Sequence, residues 1–250
     1  MSPQVLVSGA DGVCEIRLNR PEKRNAITLS MYEALCAALA QAQSDPGVRA
    51  VLMSGEGAGF TAGNDLNDFL GELKFDGDNP IVRLLCALAT FGKPLIAAVH
   101  GKTVGIGTTL LLHCDLVVAA RSTVFSMPFV SLGLVPEAAS SLLLPRLVGQ
   151  QRAAELLLLG KPFDAASAQA MGLVNRVVED AELLSEARAL ARSVAAQPVE
   201  ALLAARHLLR GDPAEVLARI DAEAKVFGER LKSEEFRTAV TAIVSRGRAG

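Results

Sequence analysis

The sequence predicts an α/β fold, and three observations predict it. Short apolar segments recur through the first half of the chain, each followed by a glycine-rich turn and then a helical segment. Those segments are apolar at consecutive positions rather than at alternate ones, as strands covered on both faces are. The second half is instead a succession of Ala/Leu-rich amphipathic segments separated by Gly and Pro. A strand–turn–helix plan repeated in this way is an α/β architecture, and 250 residues suffice for one large domain.

Taken in order, VLVSGADGVCEIRL reads as a β-hairpin that turns at Asp11-Gly12. SMYEALCAALAQAQ reads as a helix opened by a capping box of Ser30 and Glu33, with Leu35, Leu39 and Ala42 on one face. RAVLMSGE is a buried strand, and the glycine-rich loop GEGAGFTAGNDL follows it. Residues 79–91 read as a helix, after which Pro94 introduces the strand LIAAVHG. The plan then repeats as the turn GKTVGIGT, the apolar helix TLLLHC and the strand DLVVAA. From about residue 137 the expected structure is mostly helical, with segments at 137–147, 150–159, 165–171, 182–196, 199–209, 213–231 and 233–246, and one last short strand at RVVED. The helical tail suits covering its own subunit or packing on a neighbour, which divides the chain into a core domain at 1–195 and a helical oligomerisation region at 196–250.

Composition excludes several function classes. A net charge of −2, from 25 basic and 27 acidic residues, offers no global field for nucleic acid or an anionic membrane. A phosphate-bearing ligand would need a local basic cluster. MSPQVLVSGADG lacks a basic region followed by an apolar run, no apolar run is long enough to span a bilayer, and SRGRAG is not a peroxisomal address, so a cytoplasmic protein is expected. Cys14, Cys36, Cys86 and Cys114 lie among apolar residues at spacings that match no metal pattern, and are expected to be buried, reduced thiols.

Several motifs fail on inspection. Gly101-Lys102-Thr103 resembles the end of a phosphate-binding loop, but Ile96 stands where the first glycine belongs. Gly105-Ile106-Gly107 lacks the third glycine of a dinucleotide fingerprint. His100, His113 and His207 are too far apart for a metal pair, and no G-x-S-x-G elbow exists, so neither a metal site nor a serine hydrolase is expected. His113 in LLLHCD reads as a satisfied core histidine.

What survives is a pair of glycine-rich loops, GFTAGNDL (59–66) and HGKTVGIGTTL (100–110), each between a buried strand and a helical segment. Small residues let backbone approach a ligand, and two free N–H groups converging on one oxygen make an oxyanion hole. With LNRPEKRNAI before them and FSMPFVSLGLVPEAASSLLLPRLVG and GKPFDAASAQAMGLVNRVV after them, these loops make the chain resemble the enoyl-CoA hydratase/isomerase (crotonase) superfamily along nearly its whole length. The resemblance implies a crotonase-type spiral of ββα turns with a C-terminal helical trimerisation region, hence a homotrimer or a hexamer of two trimers. It implies an acyl-CoA substrate and no further cofactor. It implies oxyanion donors at the backbone N–H groups of Asn64 and Ile106, a position where family members usually carry glycine. Lys23, Arg24, Ala26, Ala62, Gly63, Asp65, Leu66, Gly105 and Phe129 would line the substrate and CoA site, and Arg246 would reach the CoA phosphates of a neighbouring subunit.

The same resemblance narrows the reaction. The two glutamates that activate water in the hydratases fall at Thr109 and Phe129, neither of which is an acid. SLGLVPEAASS resembles the peroxisomal type of Δ3,Δ2-enoyl-CoA isomerase, whose single catalytic glutamate follows a proline, here Glu137 after Pro136. Read from the residues alone, Glu137 is a helix-start acid with Pro136 at the first helical position. Asp65 and Asp68 read as caps. The expectation is an isomerase with Glu137 as sole acid/base; the alternatives are a hydratase or other crotonase-type acyl-CoA enzyme, and a non-catalytic acyl-CoA-binding protein.

Overall fold

A computed structural model describes residues 3–69 and 75–247, with side chains to 242. The chain opens with the predicted hairpin: β1 (Val5–Ala10) and β2 (Val13–Leu18) pair antiparallel around Asp11-Gly12, both at positive φ. β2 then pairs parallel with β3 (Ala50–Gly55), β3 with β4 (Leu95–Val99), β4 with β6 (Leu116–Ala120) and β6 with β9 (Arg176–Val178). A second sheet holds β5 (Lys102–Val104), β7 (Val124–Ser126) and β8 (Phe163–Asp164). β4 and β5 follow one another in the chain but belong to different sheets, and so do β6 and β7. These two turns of the chain therefore lay one strand in each sheet before their helical segment, as in a spiral of ββα turns. The sequence reading has a turn at β5 and no strand at β7 or β8; three- and two-residue strands carry no periodic signal.

Two-sided burial explains why the strands look uniformly apolar. Ala50, Leu52, Ile96, Ala98, Val118 and Ala120 face α7 (Leu183–Ala195), while their neighbours Val51, Met53, Leu95, Ala97, Val117 and Ala119 face the main core. Ala187, Ala191 and Ala195, four residues apart on α7, form the buried stripe that rests on the sheet. Helices α1 (Leu29–Ser44) and α2 (Pro80–Thr90) pack on the opposite face. A short α3 (Ile106–Thr109) continues as one 3₁₀ turn to His113, and α4 (Ser140–Val148), α5 (Gln150–Leu159) and α6 (Ala165–Ala170) follow β7. The tail is α8 (Val199–Arg210), α9 (Ala214–Arg230) and α10 (Glu234–Gly247).

Two expected helix starts move. α1 begins earlier, at Leu29, with Thr28 as its cap: the Thr28 hydroxyl accepts from Met31 N at 3.3 Å, and Asp68 Oδ2 accepts from Leu29 N at 2.7 Å. A carboxylate from another loop thus replaces the expected Ser30–Glu33 box. α4 begins at Ser140, not at 137, so Pro136 is not a first helical residue and Glu137 lies in the turn before the helix. The four cysteines are free, Cys14 buried and the other three half-buried. Among the described residues no helix is long and apolar enough to cross a membrane.

Candidate active site

The two glycine-rich loops run side by side. Residues 59 and 61 bridge to 101 and 103, and Val104 N donates to Thr61 O at 3.0 Å, so the first loop extends the edge of the small sheet beside β5. Asn25, in LNRPEKRNAI, holds that loop from below: its Nδ2 donates to Glu56 O (2.8 Å) and Gly59 O (3.0 Å). Thr61 Oγ1 donates to Asn25 O at 2.6 Å and accepts from Gly63 N at 3.0 Å. The approach is close enough to require glycine. A Cβ on Gly107 would lie 2.4 Å from Thr61 Cγ2, and Gly63 sits at φ +91° with Val104 O only 3.0 Å from where its Cβ would be.

This pairing frees two N–H groups. Ile27 N donates to Gly63 O (2.8 Å) and Asp65 N donates to Ile27 O (2.9 Å), so the N–H of the intervening Asn64 points to the other edge. Gly105 caps α3 at φ +56°, ψ −120°, and its carbonyl accepts from Thr108 N and Thr109 N. Ile106 N, the first of the helix, has no intrahelical acceptor. Among the described residues neither the Asn64 nor the Ile106 N–H meets a backbone or side-chain acceptor. Ile106 is not at positive φ, because Gly105 takes that conformation instead. A glycine at 106 is therefore not required, and its side chain packs into the core. Ala62, Gly63, Asn64 and Gly105 form one edge of a cavity of about 310 Å³, and Leu66, Phe69, Phe129, Leu134 and Phe227 are among its apolar walls.

Glu137 occupies the turn that begins just beyond Leu134. It is 2% exposed. Thr109 Oγ1 donates to its Oε1, and its Oε2 is buried with no partner. Burial pushes the carboxyl up to about 8, against the Thr109 hydrogen bond, and the nearby Glu223 charge adds to the rise. The next two residues, Ala138 and Ala139, lie at φ +62° and +54°. A left-handed conformation costs roughly 1–2 kcal/mol per non-glycine residue, so the turn is strained and must be held. His113 Nε2 lies 2.8 Å from Ala138 O, and burial lowers this ring to about 4, leaving it neutral and donating. Glu223, from α9, accepts from Ala139 N (2.7 Å), Ser141 N (3.0 Å) and Ser141 Oγ (2.6 Å). On the other side, Tyr32 from α1 is completely buried and donates its hydroxyl to Asn64 Oδ1; burial raises the phenol well above its ordinary range, with the Glu137 charge contributing.

Ala62, Gly63, Asn64, Leu66, Gly105 and Phe129 line the cavity, whereas Ile106 and Glu137 are not among its lining residues and Glu137 lies buried in the turn beyond Leu134. Lys23 and Arg24 are exposed on the turn before Asn25, and half-buried Ala26 accepts from Arg20 Nη1 at 2.9 Å. Asp65 faces away from the cavity: its Oδ2 pairs with Arg20 at 2.7 Å and its Oδ1 accepts from Asn67. It anchors the loop, in line with its reading as a cap, and does not line the cavity as the resemblance implied. The Arg246 side chain lies outside the described residues. Sequence reasoning missed Tyr32, Glu223, Phe69 and Phe227, and saw in Thr109 only a missing acid. No local pattern marks these residues; being the chain's one tyrosine is the sole hint at Tyr32. Among the described residues no three His, Cys, Asp or Glu side chains cluster as a metal-ligand set.

The fold and the paired loops define a crotonase-type protein, and comparison with known proteins agrees. The chain belongs to the Enoyl-CoA hydratase/isomerase family, whose model matches residues 8–249. It is 37% identical over 246 residues to a 1,2-epoxyphenylacetyl-CoA isomerase of Escherichia coli, covering 94% of this chain and 93% of that protein. It is 34% identical to rat Enoyl-CoA delta isomerase 2, covering 98% of this chain but only 64% of that longer protein. The crystal structure of an enoyl-CoA hydratase/isomerase from Pseudoalteromonas atlantica T6c superimposes with a TM-score of 0.93 at 41% identity, over 98% of each chain.

Proposed function

We propose that this chain is a Δ3,Δ2-enoyl-CoA isomerase with Glu137 as its single acid/base. The family acts on acyl-CoA thioesters by hydration or isomerisation, and the finer reading rests on one observation. Glu137 is a buried carboxyl with an unpartnered Oε2, in the turn that follows the cavity wall, while Thr109 and Phe129 stand where a water-activating pair of acids would be.

In this reading the thioester oxygen accepts from Asn64 N–H and Ile106 N–H, and the acyl chain enters the apolar cavity. Glu137 Oε2 removes a proton from C2 of a 3-enoyl thioester. The electron pair left at C2 delocalises onto the thioester oxygen, giving a dienolate held by the two N–H groups. Return of the same proton to C4 moves the double bond from C3–C4 to C2–C3, with no net gain or loss of atoms. One oxyanion donor is typically worth about 3 kcal/mol of barrier, and a positioned base about 10²- to 10⁴-fold. Thr109 holds Oε1, so Oε2 is the oxygen left to carry the proton. The exposed Lys23 and Arg24 are proposed to meet the CoA phosphates, and the tail from 196 to make the contacts of a cytoplasmic trimer or hexamer.

The test follows conjugation of 3-hexenoyl-CoA optically in wild type and Glu137→Gln. A loss of at least about 10²-fold in kcat is expected; undiminished turnover would overturn the assignment. Crotonyl-CoA is offered in parallel, and formation of a 3-hydroxyacyl product at a comparable rate would make the protein a hydratase instead.

A further inference from the structure

The turn that carries Glu137 is held from outside by one charged group. Ala138 and Ala139 are both left-handed and fully buried, a conformation neither residue favours. Ala139 also occupies the cap position of α4 and has no side chain with which to cap it. Glu223 supplies the missing acceptors from 84 and 82 residues away. One oxygen takes Ala139 N, and the other takes both the N–H and the hydroxyl of Ser141. A carboxylate among three donors at a helix N-terminus is well matched there. Its own burial, 7% exposed, is otherwise costly for an acid.

From this geometry we propose that Glu223 is a positioning residue of the active site, fixing the Glu137 base from α9 through the backbone of Ala139 and Ser141. The inference rests on the reading of Glu137 as the base. Glu223 is not among the cavity walls, whereas Phe227, one helical turn further along α9, is. Closing the cavity with Phe227 and locking the base with Glu223 are thus tasks of one helix. The titratable and charged groups around this turn are Tyr32 on α1, with Asp68 also acting on it, His113 beneath Ala138, with Arg210 of α8 donating to its carbonyl, Glu223 on α9, whose carboxyl burial pushes up, and Arg219, whose Nη1 lies 3.2 Å from Ser141 Oγ. Of these, Glu223 is the one negative charge that acts on the Glu137 carboxyl, and it opposes ionisation of the base.

A mere helix cap and a positioning residue differ in what they do to the pH profile. With 3-hexenoyl-CoA as probe, wild-type kcat/KM should rise with pH through an apparent pKa near 8, as the base must ionise. Glu223→Gln keeps the size, removes the charge and loses one acceptor, so the limb should move to lower pH. In the same variant kcat should fall at least about tenfold through misplacement of the base, with KM nearly unchanged. Glu223→Asp, which keeps the charge, should return the limb towards wild type. The position of a pH limb does not depend on how much of a preparation is folded, so a less stable variant still gives an answer. Wild-type kcat per folded enzyme in Glu223→Gln, with the folded fraction read by circular dichroism, overturns the proposal whatever happens to the limb. Full activity of Glu137→Gln would instead overturn the assignment of the base itself, so the two failures are distinguishable.

Discussion

As the proposed base, Glu137 combines two demands that oppose each other: a base must ionise, and a buried carboxyl resists ionising. Its pKa rises from an ordinary 4.5 to about 8 on folding, chiefly through burial. Between those values the folded chain holds a proton that the unfolded chain releases, so stability falls as pH rises through that window and the loss is complete above about pH 8. At about 1.4 kcal/mol per pH unit, the ionised carboxyl opposes folding by roughly 5 kcal/mol at pH 9. Glu137→Gln keeps the shape and cannot ionise. Its melting temperature is expected to match wild type near pH 5 and to exceed it increasingly from pH 7 to pH 9. Scanning calorimetry at the three values checks this, and parallel curves would show that the site is more hydrated than its burial indicates. In the sequence, Glu137 stood out as one acid among small residues. Its setting was not legible, because Thr109, which bonds to it, and Tyr32 and Glu223, which interact with its charge, come from three different elements.

Elements decide how closely the two loops approach. Strand order and glycine content announced both loops, but only the bridges between residues 59 and 101 and between 61 and 103 make them neighbours. Gly107 stands at the tightest point. Gly107→Ala sets a methyl group 2.4 Å from Thr61 Cγ2, and the loops must separate or Thr61 must move. The expected cost is about 1–3 kcal/mol of stability, as for an overpacked core, with kcat/KM down at least about tenfold because the Asn64 and Ile106 donors part. Gly77→Ala, whose Cβ would meet nothing within 4 Å, is the control and should be close to wild type in both. Element boundaries were legible where a single chain segment sets them, as at Asp11-Gly12 and in α5. They were displaced where a distant acid does the capping: Asp68 at the start of α1 and Glu223 at the start of α4.

Across the whole molecule, the sheet is sandwiched between the main core and α7, and α9 of the helical tail contributes Phe227 to the cavity wall. In the single chain, α8 leaves Leu208 and Leu209 82% and 87% exposed at its end. Adjacent exposed leucines on one helix suit contact with a second copy of the chain, in keeping with the proposed trimer or hexamer. Light scattering of the wild type coupled to gel filtration is expected to give an oligomer, and Leu208→Glu with Leu209→Glu to reduce its size. An unchanged oligomer would remove α8 from the interface, and a wild-type monomer would overturn the proposed assembly.

By itself the sequence determined the α/β class, the opening hairpin, the strands buried on both faces, the helical second half and the residues that could carry the chemistry. These follow from local chemistry: apolar runs, glycine at turns, proline and glycine between helices, and the order of recognisable loops. Tertiary structure alone decided which of those residues meet, and in what state. It freed the N–H groups of Asn64 and Ile106 by pairing their neighbours elsewhere, turned Asp65 onto Arg20, took Glu137 out of the helix, and raised its pKa by burial. The physical reason is distance along the chain. The contacts that hold Glu137 and its turn are made across 28 residues by Thr109 to Glu137 and across 84 by Glu223 to Ala139, and no pattern local to the turn encodes a partner so far away.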